Sequence, residues 1–519
     1  MKREKLDEAL QYISDRHVAE AAEYRRATPK PAWFAAAAAM LAAVILISVL
    51  IAPTANPPTA DEPAADVPAD TIPSADSSLQ DSPAADAPAA DAPVDTVPIQ
   101  DSLFGDIELV HKGFDAAPTY PQMLKFDGYD WGLYFQGRNQ QYTQPKGYAS
   151  GTESFFSNAI TQLLSSETDN QVFSPVNIYM ALALLAETTG GESQQQILTL
   201  LNAESIDVLR TQANHVWNAH FCDDGLSTTL LGNSLWLSDT YTYDRNCIDA
   251  LSQQYYTAVH QGDLGSVETN NLLHQWINAH TGNLLQEQAE QFNLSPSTVL
   301  ALVSTVYYKT SWISPFSPEG NQELIFHAPA GDVSTVFMYQ QLSRSTYYQG
   351  KHFAAVPMKL KDDGRMWLVL PQENITPADL LAEGSVLDLI FGEERVWENQ
   401  TQALIHLTMP KFDVSYSTDL ITSLQTMGVT DVFFPERADF TSLLGGGRHS
   451  VYVDQATHAA RVMVDEEGVT GAAFTAMDAP AAEEPTLMNE IVFTLDRPFL
   501  FIIESKDGLP LFAGIVNNP

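Results

Sequence analysis

The chain has 519 residues, 26 basic against 65 acidic, and a formal charge of −39. A field of that sign repels phosphate backbones, so the composition argues against nucleic acid as a partner. The length exceeds one ordinary domain without requiring several.

Residues 1–30 carry Lys2, Arg3, Lys5, Arg16, Arg25, Arg26 and Lys30, and the uncharged run "WFAAAAAMLAAVILISVLIA" at 33–52 follows them. As a helix that run spans about 30 Å, the thickness of a bilayer core. Its basic flank and the acidic segment beyond it place the N-terminus in the cytoplasm. Residues 31–52 are therefore expected to form a single-pass transmembrane signal anchor in the cell membrane, with the rest of the chain extracellular. A cleavable signal peptide is the alternative, but the basic region and the apolar run are both long for one. Within residues 1–30, Leu6, Leu10, Ile13 and His17 lie at helical spacing, as in a membrane-proximal amphipathic helix.

Residues 53–103 repeat Pro, Ala and Asp, as in "DSPAADAPAADAPVD". With few large apolar residues such a tract cannot offset the entropy of folding, and its prolines and like charges extend it. A disordered stalk is expected there. Only two cysteines occur, Cys222 and Cys247. Outside the membrane a disulfide between them is permitted, and the sequence leaves pairing and no pairing both open.

Residues 104–519 regain aromatic and aliphatic content without a second Pro-rich break, enough for one large core beginning at about residue 150. The stretch before 150, rich in Tyr, Gln, Gly and Pro, reads as an extended arm. "SFFSNAITQLLSS" and "IYMALALLAETT" have helical periodicity, the second stopping at Gly190–Gly191. "TTLLGNSLWLS", "ALVSTVYYKTSW", "MWLVLP", "ALIHLTMPKFDVSYS" and "EIVFTLDRPFLFIIES" read as strands. No regular helical crossovers join them, which favours an α+β fold with large sheets over a doubly wound one.

Enzyme chemistry has no visible carrier. There is no G-x-S-x-G elbow, H-E-x-x-H, P-loop or dinucleotide fingerprint, and the twelve histidines lack ligand spacing. No catalytic residue, metal or cofactor is assigned.

Five segments, in order, resemble the serpin family: "NQVFSPVNIYMALALLAETTGGES", "LALVSTVYYKTSWISPFSP", "MPKFDVSYSTDL", "HAARVMVDEEGVTGAAFTA" and "DRPFLFIIESKDGLPLFAGIVNNP". The resemblance implies three β-sheets, about nine helices and an exposed reactive-centre loop. It also implies suicide inhibition of serine or cysteine proteases by a monomeric protein. The loop is cut, inserts into the central sheet as a strand, and the protease stays covalently trapped. The hinge maps onto Glu466, Glu467, Gly468, Val469, Thr470, Gly471, Ala472, Ala473, Phe474, Thr475 and Ala476. Ser174, Asn177, Ser304 and His458 match the shutter, the polar cluster under the sheet where strands part. There Ser304 and Asn177 replace the family's usual Asn and second Ser, so a rearranged hydrogen-bond network is expected. Trp312 matches the breach tryptophan at the point of loop entry, and Trp276 reads as core. Glu466 suits a hinge ion pair with a partner the sequence does not name.

A loop that becomes a strand alternates its side chains between core and outer face. With Val469 inward, the buried set is Val469, Gly471, Ala473 and Thr475, small enough to slide between strands without overpacking. Asp478 then faces out, and Pro480, lacking an N–H, ends deep insertion near Ala479. About ten residues bonded on both sides, at ~1 kcal/mol each, supply on the order of 10 kcal/mol. Counting from Glu466 puts the scissile bond near Ala482–Glu483. No Arg or Lys lies between Glu466 and Arg497, which disfavours trypsin-like targets. Ala479, Ala481 and Ala482 suit the shallow primary pocket of elastase-like or subtilisin-like enzymes, whereas Met477, Leu487 or Met488 at the bond shifts the target toward chymotrypsin-like proteases. A non-inhibitory binding or adhesion module on the same fold is the alternative reading.

Overall fold

The computed structural model describes residues 42–53, 115–121, 143–225, 227–392, 397, 399–445, 451–468 and 489–519, the first of these as backbone alone. The hydrophobic core runs from Phe155 to Val516. At its centre lies helix α2 (Pro175–Thr188), which follows α1 (Glu153–Leu163) and strand β2 (Gln171–Phe173). All fourteen residues of α2 are buried, the expected state of a helix that is apolar on every side. Ser174 caps it by accepting a bond from the Asn177 N–H, and Pro175 stands where a missing N–H costs nothing. Helices α3 (Gly191–Leu200) and α4 (Ile206–His220) pack beside it.

One face of α2 supports a seven-stranded sheet built from β3 (Cys222–Asp223), β4 (Thr228–Ser238), β5 (Thr257–Gly262), β6 (Leu300–Lys309), β12 (Phe412–Asp419) and β13 (Val451–Val464), with the strand β1 described below. β4 and β6 are buried almost throughout, as the continuous apolar runs of a sheet covered on both faces. Helices α5 (Arg245–Gln254), α6 (Val267–His280) and α7 (Gln286–Gln291) link β4, β5 and β6.

The other nine strands form a second array: β7 (Gln322–Ala328), β8 (Gly331–Gln349), β9 (Phe353–Lys359), β10 (Arg365–Pro371), β11 (Gln400–Pro410), β14 (Asn489–Thr494), β15 (Phe499–Glu504), β16 (Pro510–Val516) and β2. The 19-residue β8 pairs with β7 from Gly331 to Phe337, with β11 from Phe337 to Tyr348 and with β9 at Tyr348–Gln349, so it links strands of two sheets. A register shift at Ala403–Ile405 interrupts the β8–β11 ladder, the kind of irregularity that bends a strand. The fold is thus α+β with three sheets. Helices α8 (Pro377–Glu383), α9 (Ser385–Phe391), α10 (Ile421–Thr426) and α11 (Thr441–Leu444) bring the α-helices among the described residues to eleven, against the expected nine or so. Several of the eleven are only one or two turns long.

The arm before residue 150 reaches the sheet edge: Ala116 exchanges backbone hydrogen bonds with Val259 of β5. Cys222 and Cys247 are both buried and form no disulfide.

One described segment differs from the helix expected of it. Ala42–Pro53, the second half of the run read as a spanning helix, is strand β1. It lies between β13 and β6, antiparallel to both, with Ala42 opposite Met463 and Lys309. Val44, Ile45, Ile47, Val49 and Ile51 are β-branched, and an apolar run offered free backbone partners on both sides satisfies every N–H and C=O as a strand. No helix among the described residues is long and apolar enough to cross a membrane. Residues 31–41 and the stalk lie outside the described residues.

Candidate functional site

The base of the loop is held by bonds from three directions. β13 ends at Val464, and the turn Asp465–Gly468 leads away from it. Trp312, fully buried just beyond the end of β6, donates its indole N–H to the Asp465 carbonyl at 2.9 Å. Its backbone N–H donates to the Glu467 carbonyl at 3.2 Å, and the Phe316 N–H to the Glu466 carbonyl at 2.8 Å. Phe316 meets the Trp312 ring edge-on. Gly468 forms an antiparallel bridge with Ser311. Its φ is +89°, and a Cβ there would lie 2.5 Å from the Trp312 nitrogen. Both facts restrict the position to glycine.

Glu466 finds the partner the sequence could not name. Its Oε1 accepts from the Lys411 ammonium and the Asn321 amide, each at 2.5 Å. Burial works against its charge, but the bonds from Lys411 and Asn321 outweigh it and hold the carboxyl below the usual range. Asp465 is 5 % exposed, and among the described residues its side chain accepts only the Glu467 N–H, at 3.0 Å. Burial, with the neighbouring Glu466 and Glu467 charges, pushes its carboxyl up to about 7.

A second cluster lies beneath the sheet at the N-terminus of α2. The Ser174 N–H donates to His458 Nε2 at 3.2 Å, while the Ser174 hydroxyl takes the Asn177 N–H. Asn177 Nδ2 donates to the Ser304 carbonyl at 3.3 Å. The Ser304 hydroxyl is 2.5 Å from Asn177 Oδ1 and 2.9 Å from Asn233 Oδ1. All four sequence-assigned shutter residues are buried and linked in one chain, which Asn233 of β4 extends. Because Nε2 accepts from Ser174, the His458 proton sits on Nδ1, which has no hydrogen-bond partner among the described residues. Burial pushes the imidazole down to about 3, so the ring is neutral.

These two clusters stand at the mouth and midway along the seam between β6 and β13. The family model for serpins (serine protease inhibitors) matches residues 151–519. The chain belongs to the serpin family. Among curated relatives, plasminogen activator inhibitor 1 of Neovison vison is 27 % identical over 372 residues, covering 68 % of this chain and 88 % of that protein. Antithrombin-III of Ovis aries is 28 % identical over 395 residues, covering 71 % and 81 %. The crystal structure of a thermophilic serpin, Tengpin, in the native state superposes with a TM-score of 0.62 at 21 % identity, covering 73 % of this chain and 95 % of that one.

In this serpin domain Trp312 and Glu466–Gly468 are brought together, and Ser174, Asn177, Ser304 and His458 form the separate lower cluster. Trp276 is fully buried on α6, stacked on His280. The rest of the assigned hinge, Val469–Ala476, and the bond Ala482–Glu483 lie outside the described residues. Sequence reasoning missed Lys411, Asn321 and Asn233. Lys411 stands inside the quoted segment "MPKFDVSYSTDL", and one basic residue in a motif next to an acidic hinge was the available signal.

Proposed function

We propose that this chain is a suicide-substrate inhibitor of serine proteases, with elastase-like or subtilisin-like enzymes as its targets. One observation carries the reading. The seam between β6 and β13 accepts an added strand antiparallel to both, and the loop base is fixed at the mouth of that seam. β1 shows the size of the space: twelve residues ending in Ala-Pro. The loop stretch 469–480, "VTGAAFTAMDAP", has the same length and the same ending. Starting from Gly468 beside Ser311, it enters with the polarity β1 has. Within this proposal Glu466–Ala476 is the hinge, Trp312 the breach residue, the Ser174–Asn177–Ser304–His458 cluster the shutter, and Ala482–Glu483 the reactive bond.

We further propose that the run at 33–52 anchors the protein in a membrane and that residues 53–103 carry the domain outward. An anchor in the bilayer leaves the seam vacant for the loop. The filled seam favours a second reading, a non-inhibitory binding module, because a sheet already holding β1 has no room for another strand.

The test mixes residues 104–519 with pancreatic elastase, subtilisin, trypsin and a cysteine protease, followed by denaturing gels and intact mass measurement. This piece contains every described core residue and corresponds to most of the length of its relatives. An adduct stable in SDS, with a fragment cut near Ala482, supports inhibition. Cleavage that leaves the protease active and unbound supports the binding module.

A further inference from the structure

Asp465, Glu466 and Glu467 put three carboxylates into one turn, and the cation that faces them among the described residues is Lys411. Lys411 and Asn321 both bond to Glu466, so among the described residues the buried Asp465 side chain has one hydrogen-bond donor, the Glu467 N–H, and no bonded cation. The charged groups around it are Glu466 and Glu467 on its own turn and Lys411 from the segment between β11 and β12. A carboxylate in that position is unfavourable and a neutral carboxylic acid is not.

The same turn sets the start of the loop. Gly468 is bridged to Ser311 beyond the end of β6, so the chain has already left β13 and crossed the mouth of the seam. The backbone bonds from Trp312 and Phe316 to Glu467 and Glu466 hold it there.

We propose that Asp465 is a proton-operated latch on loop entry. Neutral Asp465 keeps the turn docked with Gly468 leading into the seam. Ionised Asp465 draws the turn toward water and undocks it. The group's buried position, beside two like charges, places the change near neutral pH. Lys411 is the tuning residue, since its charge favours ionisation of Asp465. The structural part of this proposal is independent of protease inhibition, and its consequence for loop entry rests on the inhibitor reading.

The test is fluorine NMR of the full chain in detergent micelles, labelled with 5-fluorotryptophan, from pH 5 to 9. Trp312→Phe assigns the Trp312 signal. The expected result is a Trp312 resonance that titrates with a midpoint near 7, is flat in Asp465→Asn, and moves to higher pH in Lys411→Met. Glu467→Gln should retain the titration, moved to lower pH. A flat wild-type signal overturns the latch, as does a titration that survives Asp465→Asn. Adduct yield of residues 104–519 with elastase, read in parallel, should fall at least threefold from pH 6 to 8 in the wild type and stay constant in Asp465→Asn. A titrating signal without any adduct retains the latch and rejects the inhibitor reading. A constant yield in the wild type rejects the coupling of latch to entry.

Discussion

The indole N–H of Trp312 bonds to the backbone carbonyl of Asp465 at 2.9 Å, joining the end of β6 to the base of the loop across the mouth of the seam. A core aromatic residue and the loop's first anchor are therefore one unit, and disturbing either moves both. Trp312→Phe keeps most of the packing but takes the shorter donor from the Asp465 carbonyl, leaving it the Gly468 N–H at 3.4 Å, at a cost of about 1 kcal/mol. Urea unfolding of the variant should show that loss. Limited proteolysis should cut the loop faster than in wild type. An unchanged cutting rate would separate Trp312 from the loop.

Gly468→Ala should be more damaging locally than its size suggests. The added Cβ meets the backbone of Ser311 and Trp312, and the residue must hold φ +89°, a combination costing on the order of 2 kcal/mol or more. Because the strain falls on the docked turn, global stability should drop little while the hinge detaches. The partition between trapped adduct and released cleaved chain then shifts toward release. Equal adduct yields for variant and wild type would show that docking of Gly468 plays no part in insertion.

Lys411→Met leaves Glu466 beside its amide partner alone. Breaking a buried pair from one side is costly because the other charge remains. Lys411 is about one third exposed, so the expected loss is nearer 1–2 kcal/mol than the value for a fully buried pair. Glu466→Gln, which removes the charge itself, should cost less than Lys411→Met in the same unfolding assay. The reverse order would mean that Lys411 matters through packing.

The pH profile of stability should be flatter than either of two groups alone would make it. His458 has its folded value lowered to about 3 from an unfolded value of about 6.5. Its contribution is complete above pH 6.5 and is lost as the pH falls toward 3, because the unfolded chain takes up the proton. Asp465 has its folded value raised to about 7 from about 3.9. Its contribution is complete below pH 3.9 and is lost as the pH rises through 7. The slopes oppose each other over pH 4–6.5. Asp465→Asn should unmask an acid-induced loss approaching 1 kcal/mol per pH unit below 6.5. Denaturation midpoints of wild type and variant from pH 4 to 8 measure the difference, and parallel profiles would count against it.

The strand position of Ala42–Pro53 predicts a difference between two forms of the chain. With β1 in the seam, the full chain in dilute detergent should melt at a higher temperature than residues 104–519 and form little adduct. Ile47→Pro removes a ladder N–H and should reduce that thermal gain. Reconstitution into lipid should restore adduct formation if the run then enters the bilayer. Equal melting temperatures for full chain and fragment would rule out a filled seam in solution.

Much of the scaffold was legible because it is local. "TTLLGNSLWLS" coincides with β4 residue for residue, and "IYMALALLAETT" falls within α2 but for its last threonine, since unbroken apolar runs and a Gly-Gly stop depend on near neighbours only. The alternation of small residues from Val469 onward and the proline at 480 are likewise written in the chain, as is the order of segments that marks a serpin.

What the sequence alone determined was composition, periodicity and the small neutral loop. Tertiary structure decided which distant residues meet. Lys411 and Asn321 reach Glu466 across 55 and 145 positions of chain. Asn233 joins Ser304 because β4 and β6 are neighbours in the sheet. The run at 42–53 shows the limit most directly. The run suits a lipid-embedded helix and a doubly paired strand equally, because both satisfy the backbone. Only the presence of two unpaired strand edges, set by the fold of residues far away, selects the strand.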